Sequence, residues 1–446
     1  MGPLPARPRR RTSAFWLVAT TVAVVMFASA APSPLYPVYQ QLWGFSSAML
    51  TVIFAVYVGG LLLSLLTVGV LSDHVGRRPV IAAALVFLIA SMIVFATAGG
   101  TGALLIARIV QGLATGAALG TLSAALADLQ PSRRTGALVN SSAPFAGLAF
   151  GVAISALLVQ YAPAPRQLVY EIIAAALAVL TAGIITVVPE TSRRAGFSSP
   201  MHVVRTVTPR VSVPREVRRE FLAGVPALIA TWALGGLILS LGSSIVAAQL
   251  GIANHAADGA LLSGFFFATA AAGPIIGAIG RPVRLPVSYA FLGAGVALQL
   301  AGSLTSSIPA YTVGLILAGI GFSTAYAGVI HSLAHVPAHG RGRLFTALYV
   351  VCYLAFSVPA IVGGVTADSY GLGHTTTGYT LFVLLMVVLA AAALLRRRAA
   401  AAPAAEPGPQ PAEDAALPDS GSPCSAAPRC SGPVRQALTC RTCGCP

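Results

Sequence analysis

Two short polar segments hold the charged side chains whose spacing could do chemistry in this otherwise apolar chain. In the segment at 69–78, Asp73 precedes Arg77 by four residues, so the two side chains can pair on one helical turn. In the second segment, Arg108 and Gln111 are three residues apart and share a helix face. A charge at the centre of a bilayer costs about 2.5–3.5 kcal/mol, so an arginine kept inside an apolar run is expected to be functional.

The composition indicates that lipid, rather than water, surrounds most of the chain. Of the 446 residues, 56% are hydrophobic and 9% are charged, whereas a soluble domain carries about 25% charged residues. The apolar runs approach the roughly 20 residues that a transmembrane helix needs, and they lack the alternation of barrel strands of about ten residues. All 27 basic residues are arginines, and nearly all lie between these runs, so the net charge of +15 does not indicate nucleic-acid binding.

Twelve apolar runs are predicted to be transmembrane helices. They cover Ala14–Ala31, Ala48–Leu71, Val80–Ala98, Ala103–Leu126, Gly136–Val159, Leu168–Val188, Leu222–Ala247, Leu261–Ile279, Val287–Ser303, Tyr311–Leu333, Leu344–Val365 and Tyr379–Leu395. Arginine is concentrated in every second connection, which is typical of a multi-pass protein whose arginine-rich side faces the cytoplasm. The sequence therefore predicts a multi-pass protein of a bacterial-type inner (plasma) membrane, with both chain ends in the cytoplasm.

The first run also has features of a secretory signal. It follows Arg9-Arg10-Arg11 and contains Ala28-Ser29-Ala30, which resembles a cleavage site. We expect the run to be retained as a helix, because it is longer than the apolar region of about 7–15 residues in a signal peptide.

The longest internal polar stretch divides the twelve runs into two sets of six. The sequence predicts a cytoplasmic arm at 1–13, a first six-helix bundle at 14–189, a cytoplasmic linker at 190–220, a second bundle at 221–395 and a disordered cytoplasmic tail at 396–446. The tail contains Cys440, Cys443 and Cys445, which could bind a soft metal or form disulfides. Because no second ligand pair follows at the spacing of a zinc site, no metal site is predicted.

Both polar segments resemble signatures of one family. Gly-x-Leu-x-Asp-x-x-Gly-Arg-Arg at 69–78 is similar to the loop between helices 2 and 3 of the major facilitator superfamily, a group of secondary transporters. Arg-x-x-Gln-Gly at 108–112 resembles the second signature of that family. The resemblance covers about residues 14–395 and implies an all-α polytopic fold of 12 transmembrane helices in two six-helix bundles, with a substrate site between them.

The resemblance also implies a conformational latch at the first signature. In the family, the aspartate of this loop caps the start of a helix in the other half when the cytoplasmic side closes. The residues that would form the latch here are Gly69, Asp73, Gly76, Arg77 and Arg78. The alternative is a simple turn with arginines at the membrane surface.

Proton coupling is tied to the second signature in the antiporter members of the family, which implies roles for Arg108, Gln111 and Gly112. Arg108 could instead extend along the helix to the lipid headgroups. Glu171, in the first turn of the sixth predicted span, is the candidate carboxylate for proton transfer, although it could also be an interfacial side chain that simply meets water.

Polar and aromatic residues inside the predicted spans are candidates for the substrate cavity. They are Thr115, Asn140, Pro144, Ser240, Tyr326 and Tyr353. Since few charges accompany them, the cavity is expected to be mostly apolar and to favour an amphipathic organic substrate. Drug–proton antiporters of the family carry Gly-Pro-x-x-Gly-Gly in the fifth helix, and only Pro144 and Gly147 match it here.

The sequence therefore predicts a secondary active transporter that moves a small organic solute by alternating access, with proton-coupled efflux as the first hypothesis. The alternatives are solute uptake, a permease subunit with a partner ATPase, and a membrane-embedded enzyme, which would need clustered histidines or acids within the membrane. No enzyme activity and no cofactor are predicted, and a proton gradient would supply the energy. The expected partners are the lipid bilayer and a small organic substrate, with no nucleic acid, and the chain is expected to be a monomer.

Overall fold

Helices form the regular structure in the part of the chain that the computed structural model describes, which comprises residues 8–192, 212–279, 284–333 and 338–401. They are α1 (Pro8–Ala30), α2 (Tyr36–Trp43), α3 (Ser47–Val75), α4 (Arg77–Ala96), α5 (Thr101–Leu129), α6 (Arg133–Tyr161), α7 (Leu168–Val187), α8 (Arg218–Ser240), α9 (Gly242–Leu250), α10 (His255–Ile279), α11 (Leu285–Leu304), α12 (Ile308–Ser332) and α13 (Ala338–Ala401). Short 3-10 turns, Ser33–Leu35 and Arg215–Val217, precede α2 and α8. Within these residues, 11 helical stretches are long and apolar enough to cross a membrane, and the last of them has 55 residues.

The last helical stretch contains two crossings rather than one. α13 is interrupted at Gly371, where φ is 82° and ψ is 159°. Thr375 Oγ1 donates a hydrogen bond to Thr366 Oγ1 over 3.2 Å, although nine residues of straight helix would separate the two by about 13 Å. A β-carbon at Gly363 would lie 3.3 Å from the ring of Tyr379. α13 therefore reverses direction at Gly371, as the two predicted spans on either side of this residue require.

Hydrogen bonds between connections show which of them share an end of the bundle. At one end, called the proximal end, the side chain of Arg77 pairs with Asp128, and Arg11 donates to the backbone carbonyl of Asp128 over 3.0 Å. At the opposite, distal end, the Tyr39 hydroxyl, between α1 and α3, donates to the Tyr170 hydroxyl at the start of α7 over 3.2 Å. The chain therefore passes back and forth between the two ends, beginning and finishing its described part at the proximal end.

The described arginines are divided unequally between these ends. Arg166 lies in a distal connection, and Arg108 is buried inside the bundle. The others lie in proximal connections or at the proximal ends of helices, and those with described side chains are Arg11, Arg77, Arg78, Arg133, Arg134, Arg215, Arg218, Arg219, Arg284, Arg343, Arg396 and Arg397. The expected alternation of arginine is thus present in the structure, and the assignment of the proximal end to the cytoplasm stays a prediction.

Side-chain caps, rather than hydropathy, set several helix boundaries, which therefore differ from the predicted ones. α10 begins at His255, after Asn254, whose side chain accepts a hydrogen bond from the amide of Ala257 over 3.0 Å. Asp258 consequently lies within the first turns of a long helix, whereas the sequence places it in a connection. The predicted span at 222–247 is divided into α8 and α9.

The helices α1–α7 are called the N-terminal half below, and α8–α13 the C-terminal half. The predicted bundle limits, 14–189 and 221–395, stay predictions. Most of the predicted arm at 1–13, the middle of the predicted linker at 190–220 and most of the predicted tail at 396–446, with its cysteines, lie outside the described residues.

Candidate functional site

Aromatic side chains from both halves meet at Phe356 and Phe322, two rings that contact Trp232 of α8. The Trp232 ring lies 5.7 Å from the ring of Phe356, centroid to centroid. From the N-terminal half, Phe54 lies 5.1 Å from Phe356, and Phe145 lies 5.3 Å from Phe322. The aromatic cluster defined by these contacts consists of Phe54, Phe145, Trp232, Phe322, Tyr326, Tyr353 and Phe356.

Trp232 gives the aromatic cluster an unused hydrogen-bond donor. Its indole N–H is buried and has no hydrogen-bond partner, a state that costs about 1–3 kcal/mol. The faces of aromatic rings attract other flat apolar groups and cations. The chemistry of the cluster therefore suits an amphipathic organic molecule that offers one hydrogen-bond acceptor to the indole.

Two of the six predicted cavity residues, Tyr326 and Tyr353, belong to the aromatic cluster. A third, Pro144, lies inside α6 directly before Phe145 of the cluster. The other three lie outside the cluster, two of them buried and one exposed: Thr115, Ser240 and Asn140. No observation assigns a substrate to any of the six, so their roles stay predictions.

Arg108 of α5 is held inside the N-terminal half, where it is 1% exposed. Its Nη1 donates to the carbonyl of Ser29 over 3.2 Å and to Gln111 Oε1 over 2.6 Å. Its Nη2 donates to the hydroxyl of Tyr36. Gln111 Nε2 donates in turn to the carbonyl of Ala28 over 2.8 Å. Ala28 and Ser29 are among the last residues of α1, so Arg108 and Gln111 satisfy carbonyls that the helix itself leaves without partners.

The charge of Arg108 is compensated without a carboxylate among the described residues. The C-terminal end of a helix carries a partial negative charge, which favours a cation there. The rings of Tyr57, Tyr36 and Phe95 lie 5.1, 5.4 and 5.6 Å from the guanidinium carbon, within the range of cation–π attraction. The side chain thus points into the bundle and not toward the lipid headgroups.

Glu171 is not part of the Arg108 site. It lies on the exposed side of the first turn of α7, whereas its neighbour Tyr170 points inward and accepts the hydrogen bond from Tyr39. Gly112, in contrast, faces α3, where a β-carbon would overlap the backbone carbonyl of Tyr57. Of the four residues predicted to couple protons, the structure brings together Arg108, Gln111 and Gly112.

The turn between α3 and α4 is held by two carboxylates from other parts of the N-terminal half. Gly76 has φ of 115°, a conformation that favours glycine. The amides of Arg77 and Arg78 donate to the carboxylate of Glu190 over 2.8 and 3.2 Å, and the side chain of Arg77 pairs with Asp128. The side chain of Asp73 lies outside the described part of the structure, as do the surroundings of Gly69, so the predicted latch to the other half stays a prediction.

Replacing Glu190 with glutamine should destabilise the fold, because Glu190 caps the positively polarised start of α4. Loss of its charge is expected to lower the free energy of unfolding by about 1 kcal/mol, and more at low than at high ionic strength. The midpoint of thermal unfolding in detergent, measured at two salt concentrations, checks this. The control is Glu216→Gln, an exposed carboxylate beside α8; equal midpoints for the two variants would contradict the capping role.

Three sets of hydrogen bonds join the two halves at the distal end. The carboxylate of Asp368 accepts from the amides of Ser47 and Ala48, over 2.8 and 2.9 Å, at the start of α3. The hydroxyl of Ser33 donates to the carbonyl of Leu239 over 2.7 Å. The amide of His255 donates to Gln160 Oε1 over 2.9 Å. The distal end is therefore closed in this structure.

Reasoning from the sequence missed Glu190, Asp368 and Asp128 as site residues. Glu190 and Asp368 both accept hydrogen bonds from backbone amides at the start of a distant helix. Every helix start has such amides, so the sequence around a carboxylate does not indicate which helix start it binds. The available signal was position, because each of the three carboxylates lies two or three residues after the end of a predicted span.

A family model described as Major Facilitator Superfamily matches residues 18–252 of the chain. A protein of Citrobacter koseri named multidrug resistance protein MdtL is 29% identical over 303 residues, which is 66% of this chain and 73% of that protein. A Penicillium rubens protein named as the MFS-type transporter paaT is 31% identical over 154 residues, or 33% of this chain. The chain thus spans only 28% of the length of the Penicillium protein.

Among solved structures, the human organic anion transporter MFSD10 (TETRAN) resembles this chain with a TM-score of 0.61. The match covers 87% of this chain and 100% of that one at 18% sequence identity. At this identity, the likeness concerns the fold alone.

Proposed function

This chain belongs to the major facilitator superfamily, a family of membrane transporters, and we propose that it exports a small amphipathic organic solute in exchange for protons. The observation that carries the proposal is the aromatic cluster. Rings of the C-terminal half contact Trp232, whose indole N–H is unpaired, and rings of the N-terminal half join them through Phe356 and Phe322. This arrangement suits a substrate with a flat apolar body and a single acceptor. A sugar or a phosphate would require more polar partners.

The contacts at the distal end support transport by alternating access. The hydrogen bonds of Asp368, Ser33 and Gln160 connect the two halves, and each such bond contributes about 0.5–3 kcal/mol. Contacts at the proximal end can compensate for the loss of this much free energy when the distal end opens. In that state the Asp73 latch is expected to close. We place the arginine-rich proximal end on the cytoplasmic side of a bacterial-type plasma membrane.

One relative supports export, and the Arg108 site supports proton coupling. The Citrobacter koseri relative bears the name of a multidrug resistance protein, which agrees with outward transport of organic compounds. The Arg108 site combines a buried cation with a nearby hydrogen-bond network, which is the signature that the resemblance ties to proton coupling. Uptake in the opposite direction is the alternative outcome of the test below.

The proposal is tested with the purified protein in proteoliposomes. Amphipathic cationic, neutral and anionic compounds are offered with and without an imposed pH gradient, and a protonophore is added at the end. We expect at least one compound to move against its own gradient, in the direction opposite to protons, and to equilibrate when the protonophore is added. Movement in the same direction as protons would support uptake, and no uphill movement of any compound would overturn proton-coupled transport.

Replacing Trp232 with alanine should weaken transport of the compound found in this way at least about tenfold. The ring contacts and one hydrogen bond together contribute more than about 1.4 kcal/mol to binding. The apparent affinity from the concentration dependence of initial rates checks this. The control is Trp16→Ala, which removes a tryptophan that is 52% exposed on the outside of the bundle; equal losses in both variants would contradict a binding role of the aromatic cluster.

A further inference from the structure

Asp258 is a buried carboxylate that neither signature includes. It lies near the distal start of α10, is 3% exposed, and its Oδ1 has no hydrogen-bond partner. The hydroxyl of Ser243 in α9 is within hydrogen-bonding reach of the carboxyl group. Tyr311 of α12 lies close enough to interact with it electrostatically, and the Tyr311 hydroxyl accepts a hydrogen bond from Gln299 Nε2 over 3.1 Å.

The surroundings of Asp258 contain no compensating cation among the described residues. Toward the distal end, the titratable groups on the elements around it are His255 on its own helix, Tyr311 on α12 and Tyr161 at the end of α6, and α9 has none. The other titratable groups on these helices are Tyr326 of the aromatic cluster and, at the proximal end, Arg133, Arg134 and His331. Neither His255 nor any described arginine forms an ion pair with Asp258. Burying an ionised carboxylate without such a partner costs several kcal/mol, so this arrangement is compatible with the neutral acid and disfavours the anion.

Asp258 also lies at a seam between the two halves. A β-carbon on the next residue, Gly259, would overlap Ala156 of α6. On the same face of α10, two turns further, the ring of Phe267 lies 5.0 Å from that of Phe150. The amide of His255, one turn earlier, is bound by Gln160 of α6, as described above. Because α6 and α10 belong to different halves, opening the distal end must separate this seam one residue away from Asp258. The carboxyl group itself faces Ser243 of α9 and Tyr311 of α12, in the same half.

We propose that Asp258 is a proton-binding site and that its protonation from the distal side permits the seam between α6 and α10 to close. The proton comes from water at the distal side and binds the unpaired carboxylate oxygen. The neutral acid fits the closed, dry seam, whereas the anion stabilises the open, hydrated one. Acid on the distal side therefore favours closure, and raising the distal pH favours opening. The inference rests on alternating access in the proposed function, and it assigns the proton to a residue outside both signatures.

The test measures opening of the seam directly. All six native cysteines are replaced in the full-length chain, and Ser263, which is 3% exposed, is changed to cysteine. Ser263 lies on the helix face that carries Gly259 and Phe267, since the three are spaced by four residues. In proteoliposomes, a membrane-impermeant maleimide is applied from the distal side between pH 5 and 9. Rates are compared at each pH with those of the same chain carrying Asp258→Asn, which cancels the effect of pH on the thiol itself.

We expect the ratio of labelling rates, Asp258 chain over Asp258→Asn chain, to rise at least about tenfold from pH 5 to pH 9. Glu216→Gln, which changes an exposed proximal carboxylate, should leave this rise intact. A flat ratio would overturn the proposal. If Asp258→Asn does not fold, the Asp258→Glu variant tests the role of Asp258 instead. Its longer titratable side chain must move the pH midpoint of labelling. An unchanged midpoint would count against Asp258 as the proton-binding site.

This result is independent of the transport assay. Labelling needs neither a substrate nor a proton gradient. A chain that exports no tested compound can still open with pH, which would leave the Asp258 site standing. A chain that exports with protons but shows a flat ratio would retain the proposed function without this site.

Discussion

Replacing Arg108 with lysine is expected to lower the rate of uphill transport about 100-fold, while the protein still folds. Lysine keeps the charge near the end of α1 and beside the rings of Tyr36 and Tyr57. Its single ammonium cannot reproduce the planar fork that reaches Ser29, Gln111 and Tyr36 together. Losing two charged hydrogen bonds of about 1.5–3 kcal/mol each is enough for an effect of this size. Alanine would be a poorer variant, because it leaves the buried acceptors without any donor.

The measurement separates coupling from binding. Uphill accumulation driven by a pH gradient is compared with exchange of substrate between equal compartments, where no gradient acts. If Arg108 serves proton coupling, the Arg108→Lys variant loses uphill accumulation and keeps much of the exchange activity. The control is Arg133→Lys, an exposed arginine at the start of α6. Unchanged uphill transport would assign Arg108 to support of the α1 terminus alone.

The fold was predictable because lipid imposes a simple rule on the sequence. Helices of about 20 apolar residues are required wherever the chain crosses, and the family resemblance, now confirmed by the match to residues 18–252, supplied their arrangement. The hydropathy of the sequence does not predict where the helices begin and end. The cap at Asn254 extends α10 toward the distal end, and the segment between the first two predicted spans forms α2.

These misplaced ends explain why the sites were only partly predictable. Arg108 could be recognised as a buried cation, but its partner Tyr36 lies 72 residues away in the unexpected helix α2. Asp258 was overlooked because it was assigned to a connection, where a carboxylate simply meets water. Asp368 lies three residues after a predicted span, but its partners are the amides of Ser47 and Ala48, which only the folded chain brings near.

Gly112 connects the family signature to the packing that creates the Arg108 site. Adding a β-carbon there would overlap the carbonyl of Tyr57, and adding one at Gly116 would overlap the carbonyl of Leu61. Both obstacles are backbone, so α3 could accommodate the added atom only by moving away from α5. Such a shift would carry the Tyr57 ring away from Arg108, which it now contacts at 5.1 Å. The glycine in this signature is therefore expected to act through helix approach.

Gly112→Ala should accordingly lower the free energy of unfolding by about 1–3 kcal/mol, since overpacking a fitted contact costs this much, and transport should be lost with it. Gly59→Ala is the matched control, because nothing lies within 4 Å of a β-carbon at Gly59 on α3. There the higher helix propensity of alanine, up to about 1 kcal/mol, should leave stability unchanged or raised. Thermal midpoints of the two purified variants and initial transport rates at equal protein content check the difference. Equal midpoints would show that α3 and α5 can separate without penalty, and the packing role of Gly112 would then be wrong.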